Sequence, residues 1–521
     1  MRTTHLILVS LLLSGLTGCA ASGSIFAGDG QGRTLGAQPD DDDDAVSNDD
    51  DAVSNDDDAA DDDDSVPAGD LATGIDITAI SLNQSVQVML MEGEAAPNNL
   101  PLVQGRPGLL RLHLTPQDGW DARPIVGTLS WDPATDDLAA LELTDTITPS
   151  GPSTDGDINS TLNFQVPSEY VSNGAGWRVE LREVDGGSGG GDADRAQWPR
   201  EGDYEQFLAY DPGTVRIRIV PIAYNADGSG RLPDTSDGQL QILSDWIYRI
   251  YPTDNVELTV GDPWELNAAI QPNGSGWGDL LYEMTDLRQE RDIPSDTYIY
   301  GMFRPTDNAG QFCGGGCVAG LSWRADNPND PWARASIGLG FSGEGAAGTM
   351  IHEIGHAHGR SHANCQVSNP DPNYPHPDGQ LGVWGWDPIT NQLMDPVANR
   401  DMMGYCSPRW VSDYTWDALL ERVDWVNGSA DWVATQPELP WRVIGVGIDG
   451  TRSVRGSIPI AGTPSGDLVH VDWLDASGSV VATVQGRFRG FADADGGTLL
   501  VPDAPANVLA LRVDGEILTL P

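Results

Sequence analysis

Four of the chain's eight histidines fall within 11 residues, in the stretch His352-Glu353-Ile354-Gly355-His356-Ala357-His358-Gly359-Arg360-Ser361-His362. On a helix, His352 and His356 are i, i+4 neighbours, so both imidazoles project from one face and can bind one cation. Gly359 can take the left-handed conformation that ends a helix, and the turn after it can return His362 as a third ligand. Three histidines leave one position of a tetrahedral ion to water, as catalytic zinc requires. Glu353, next to the first ligand, can take a proton from that water and pass it to a leaving amine. His358 lies two positions from His356 and points elsewhere on the helix. His376 sits in the loop Tyr374-Pro375-His376-Pro377, and His113 alternates with Leu112 and Leu114 as the polar face of a strand.

The spacing H-E-x-x-H-x-x-G-x-x-H resembles that of the metzincin clan of zinc metalloendopeptidases, in which a Met-turn follows. Asp401-Met402-Met403-Gly404-Tyr405-Cys406 fits such a turn. The resemblance implies that Met403 forms an apolar floor under the metal. It also implies that Tyr405 approaches the metal and donates to the oxyanion, a role its phenol suits. A closer likeness, to a group of secreted bacterial metzincin-type proteases, covers residues 350–416, with a looser one over 202–435. The likeness implies one catalytic Zn²⁺ on His352, His356 and His362, Glu353 as general base, and a protein or peptide substrate. Asp371, Asp378, Asp387 and Asp395 could build a structural Ca²⁺ site, but turn formation explains them as well. No cysteine-switch sequence lies upstream, so latency would need another device.

Cys19 closes the box Leu16-Thr17-Gly18-Cys19, behind an apolar run from Leu6 to Leu13 that is too short to span a bilayer. The segment resembles a bacterial lipoprotein signal. That resemblance implies loss of residues 1–18, lipidation of Cys19 and export. With Ala20 next, it implies the outer membrane, on its periplasmic or cell-surface face. The other four cysteines are Cys313, Cys317, Cys365 and Cys406, and an even number in an exported chain points to two disulfides. Three pairings exist. The favoured one joins Cys313 to Cys317 across three glycines, and Cys365 to Cys406. The third-ligand loop and the Met-turn carry Cys365 and Cys406, and both must approach one metal.

These residues need elements to position them. The chain has 521 residues, and 78 acidic side chains against 28 basic ones, all arginine, leave a net charge of −50. Nucleic acid is excluded as a default partner, because phosphate binding needs a basic face. Fifteen aspartates crowd residues 40–64, so 19–70 reads as a disordered spacer after the signal peptide at 1–18. Residues 71–185 show period-two runs and read as a β domain, and 186–201 as a Gly-rich linker. Residues 202–436 alternate strands with helices and read as the catalytic domain. Residues 437–521 return to short strands. The fold expected is therefore multidomain: a metzincin-like α+β catalytic domain, with a mixed twisted sheet plus helices, flanked by two all-β sandwich-like domains. Two other functions fit the motif less well. One is a cell-surface binding or adhesion protein with a zinc site, and the other a zinc hydrolase of a non-peptide amide in the cell wall.

Overall fold

Alternating apolar residues set the first long strand, Ile75–Glu92, with Ile75, Ile77, Ile80 and Leu82 fully buried. A bulge between Ile77 and Ala79 moves the inward face from odd to even positions. The computed structural model describes residues 69–520 except 94, 96–100, 185–189, 436 and 506, with backbone only at 430–435. The expected signal peptide, Cys19, nearly all of the Asp-rich spacer and part of the Gly-rich linker lie outside the described residues.

Strand Ile75–Glu92 pairs with Gly108–Pro116 on one side and with Gly385–Asp387 on the other. Leu162–Val166 and Gln392–Met394 complete that five-stranded sheet. A second sheet joins Leu141–Ile147, Ile125–Asp132, Gly176–Glu183 and two short strands. A third, six-stranded sheet is built on Val215–Tyr224. Val256–Val260, Trp264–Leu266 and Thr297–Phe303 all run parallel to it, and Ala335–Leu339 runs parallel to Thr297–Phe303. Gly320–Ser322 lies antiparallel at the edge. Five α-helices occur among the described residues: α1 (Asp237–Ile250), α2 (Trp277–Glu290), α3 (Ala309–Cys313), α4 (Glu344–Ala357) and α5 (Asp413–Thr435). Residues 438–519 form one antiparallel seven-stranded sheet. None of the helices described is long and apolar enough to cross a membrane.

The expected fold class needs correction. The structure is not a mixed α+β core between two sandwiches: strands make up 37% of the chain and helices 18%, and the described residues form five sheets. The reason is pairing that local patterns do not encode. The far half of Ile75–Glu92 takes its partner from the segment after the histidine motif. The C-terminal strands stay in a single sheet and do not stack as two.

Among the described residues, two of the three apolar clusters bear on the histidine segment and its surroundings. One holds Ile75, Leu110, Ile217, Leu243 and Ile247 together with Ile351 and Ile354 of α4 and Leu419 of α5. Each such side chain, fully buried, contributes about 1.5–3 kcal/mol. The other joins α2 and the edge of the six-stranded sheet to the C-terminal sheet, through Leu281, Trp323, Trp332, Val443, Ile458 and Leu500. Across that junction Arg489 meets Asp330 at 2.9 Å, with side chains 3% and 0% exposed. Arg489→Ala would leave the Asp330 charge buried without its partner, so a loss of about 3–5 kcal/mol in denaturant unfolding is expected.

Candidate metal centre

Helix α4 opens after Gly343, which has φ 97° and whose N–H donates to Gln239 Oε1 of α1 at 2.6 Å. Small residues on the helix let its neighbours come close. A methyl group at Gly355 would lie 2.5 Å from Met403 Sδ. Side-chain hydroxyls fasten the helix by its carbonyls: Tyr251 donates to Ile351 O at 2.8 Å, and Ser336 to Glu353 O at 3.1 Å. Gly359, with φ 86°, turns the chain back, and a Cβ there would collide with Arg422 and Ala325 O.

The turn delivers His362 to the helix histidines. His356 Nε2 lies 3.2 Å from the Nε2 atoms of both His352 and His362. His352 Nδ1 donates to Met402 O at 2.8 Å, and His356 Nδ1 to Arg360 O at 2.6 Å. A carbonyl only accepts, so in both rings the proton sits on Nδ1 and the Nε2 lone pair faces the centre. Burial keeps His356 neutral, its pKa lowered to about 4.

A fourth donor comes from far along the chain. Asp493 Oδ1 lies 2.7 Å from His362 Nε2 and 3.2 Å from His352 Nε2, and its Oδ2 lies 3.2 Å from His356 Nε2. His352, His356, His362 and Asp493 each offer one ligand atom, all within 4.8 Å of one another. Buried lone pairs facing each other repel unless a cation lies among them, so this donor set fits a metal ion. No local signal in the sequence marks Asp493, which reads as one turn acid among 78 acidic residues.

The other site residues are gathered around this group. Glu353 is buried behind Gly320, where a Cβ would collide with Glu353 Oε1. Burial first, and then the Asp493 carboxylate, push Glu353 well above the usual carboxylate range. The Tyr405 hydroxyl donates to Asp493 Oδ1 at 2.7 Å, and its ring centre is 5.2 Å from that of His362. Met403 is fully buried against Gly355. Both disulfides form, Cys313–Cys317 and Cys365–Cys406, the second with Cα atoms 5.8 Å apart. It joins the loop after His362 to the turn at 401–406, which also exchange hydrogen bonds from Ala363 N to Met403 O and from Tyr405 N to Cys365 O. Beside Glu353 opens a cleft of about 330 Å³, lined among others by Val318, Ala319, Thr349, Tyr405 and Arg409.

Several residues stand apart. His358 stacks on Tyr298 at 4.0 Å, buried away from the cluster. His376 pairs with Asp413 at 2.6 Å. His113 is buried rather than on a polar face, 3.6 Å from Asp155. The four aspartates considered for calcium do not converge on one another among the described residues. Asp371, Asp387 and Asp395 each accept backbone N–H groups of their own turns.

Residues 325–431 match the model of the family described as peptidase M66. The match supports a metallopeptidase, with a peptide or protein as its substrate. It contains the three histidines, Glu353, Met403 and Tyr405 but not Asp493. Dictomallein of Burkholderia mallei (strain SAVP1) and of Burkholderia pseudomallei (strain K96243) are each 38% identical to the chain over 88 residues. That stretch is 15% of this chain and spans only 12% of each relative.

The turn at 401–406 hangs on one carboxylate. Asp401 is fully buried and accepts from Met403 N at 2.8 Å, Ser412 N at 3.0 Å and Ser412 Oγ at 2.5 Å. Asp401→Ala would strand these donors, and an unfolding loss of about 3 kcal/mol is expected, together with weaker metal retention on dialysis.

Proposed function

We propose that the chain is a zinc-dependent metalloendopeptidase of metzincin type, exported and held at the outer membrane by a lipid on Cys19. One observation carries the catalytic reading: three imidazoles converge beside a carboxylate of the same helix, inside the segment that matches a metallopeptidase family. The L-x-G-C box carries the anchor.

His352, His356 and His362 would hold the ion. Zinc there supplies Lewis acidity and makes water acidic enough to react near neutral pH. Glu353 accepts the proton of the attacking water and later gives it to the leaving nitrogen. The Tyr405 hydroxyl donates to the carbonyl oxygen as negative charge develops there. The edge strand Gly320–Ser322 presents backbone groups beside Glu353 to an extended peptide. Met403 and the carbonyls of Met402 and Arg360 keep the rings in place.

A second reading has one observation in its favour. With Asp493, the site has four protein donors, the number a closed structural zinc site uses, and the chain would then be a binding protein. Wild type and Asp493→Ala, each with and without Glu353→Ala, separate the two readings. The enzyme reading expects about one zinc per chain in all four. It also expects cleavage of a mixed peptide library by a Glu353-containing form, lowered about 100-fold or more by Glu353→Ala. Absence of cleavage by both folded, zinc-loaded Glu353 forms would sink it. For the anchor, labelled fatty acid should enter the wild type and not Cys19→Ala; an unlabelled wild type removes the tether.

A further inference from the structure

The loop between strands Val480–Gly490 and Gly497–Pro502 does more than donate one carboxylate. Phe491 forms an antiparallel bridge with Trp323, just past the edge strand Gly320–Ser322. Ala492 N donates to Ser322 O at 3.3 Å. The loop backbone thus covers the otherwise unpaired side of the buried edge strand that runs over Glu353. Its next residue, Asp493, ends on all three histidines and takes the Tyr405 hydroxyl. An added strand with a side chain on the reaction centre is the pose an extended peptide would take.

We propose that residues 491–496 are a built-in inhibitory latch. The loop backbone lies where substrate would pair, and Asp493 fills the metal position that a reacting water needs. The proposal rests on the peptidase reading, because a latch implies a site worth closing. Its donor is held on the same chain, so it competes at the high effective concentration of an intramolecular ligand.

The latch is braced at both ends. Phe491 is 8% exposed and packs on Trp323, with ring centres 5.1 Å apart, and on Tyr282. Phe491 N donates to Gly496 O across the loop, and the Tyr282 hydroxyl donates to Gly497 O at 2.8 Å. Two residues before Phe491, Arg489 is locked to Asp330. Asp493 itself is 7% exposed in its side chain. A turn carboxylate with no task would project into water, whereas this one is directed inward by a loop pinned at Phe491 and Ala492.

The test uses the full-length protein loaded with cobalt(II) and titrated with acetohydroxamic acid, read by the visible absorption bands of the metal. Asp493→Ala and the near-isosteric Asp493→Asn should keep about one metal per chain and bind the hydroxamate at concentrations at least tenfold lower than wild type. Phe491→Ala, which keeps the carboxylate but frees its mount, should shift binding in the same direction by less. Equal hydroxamate binding by wild type and both Asp493 variants overturns the latch. So does loss of the metal from folded Asp493 variants, which would make Asp493 an obligatory ligand. Peptide cleavage by the zinc-loaded forms is scored separately and should rise about tenfold or more in Asp493→Ala. Freer hydroxamate binding with no cleavage by any form leaves Asp493 as the ligand that closes the metal position but overturns the peptidase reading, and the inhibitory role with it.

Discussion

The lone pairs of His352 and His356 and the Asp493 carboxylate point at one buried spot and repel each other, and the surrounding structure holds them there with His362. A helix alone sets two of them, at the spacing of one turn. Their orientation depends on hydrogen bonds from the far side of each ring, to Arg360 O in the returning turn and to Met402 O in the Met-turn. Those carbonyls must themselves be fixed, which explains how densely the Met-turn is tied. It is bound to Asp401, to Trp410 O, to the third-ligand loop and to the disulfide Cys365–Cys406. Removing polar protons from the centre is what prepares it for a cation.

The long strand at the front of the chain belongs to this same task. Strand Ile75–Glu92 meets Gly385–Asp387, and Ser85 O accepts from Trp410 Nε1 at 2.7 Å, next to the Met-turn. Ser85 also donates to Arg249 O at the end of α1 and accepts from buried Arg106. One left-handed serine, φ 80°, thereby links the first sheet, the first helix and the segment under the metal site. Helix α4 is thus positioned both by its packing on α1 and by hydroxyls of Tyr251 and Ser336 that hold its carbonyls.

How much of this was legible depended on range. The histidine motif is local: helical spacing, one glycine turn and an adjacent carboxylate all lie within 11 residues. Individual strands and helices are nearly as local, and the helix containing Leu240, Leu243, Ile247 and Ile250 ends at Ile250, before Pro252. The turn at 401–406 and its disulfide are legible only through likeness to a known clan, because nothing in 401–406 alone calls for a metal above it. The fold class is not legible in the sequence, because strand pairing joins residues whose separation leaves no periodic trace. Asp493 was invisible for the same reason. Its neighbourhood, Ala492-Asp493-Ala494-Asp495-Gly496, looks like any acidic turn, and only the sheet that carries it turns it toward the histidines.

The buried arginines connect these observations. With no lysine in the chain, every positive side chain is a planar fork, which suits paired contacts to carbonyls and carboxylates. Arg288 bonds Thr297 O and Pro294 O, Arg334 bonds Ser295 O and Pro328 O, and Arg489 bonds Asp330 and Ser465. A buried ion pair such as Arg489–Asp330 adds little net stability over a well-packed apolar pair, because desolvation offsets most of the attraction. It does select one arrangement, since any slip strands a buried charge. Apolar contacts between α2 and the C-terminal sheet would tolerate small slides; the buried contact of Arg489 Nη2 with Asp330 and Ser465 does not. Placed two residues before Phe491, it fixes the register at which the loop enters the cleft, and a shift of one residue would carry Asp493 away from the histidines.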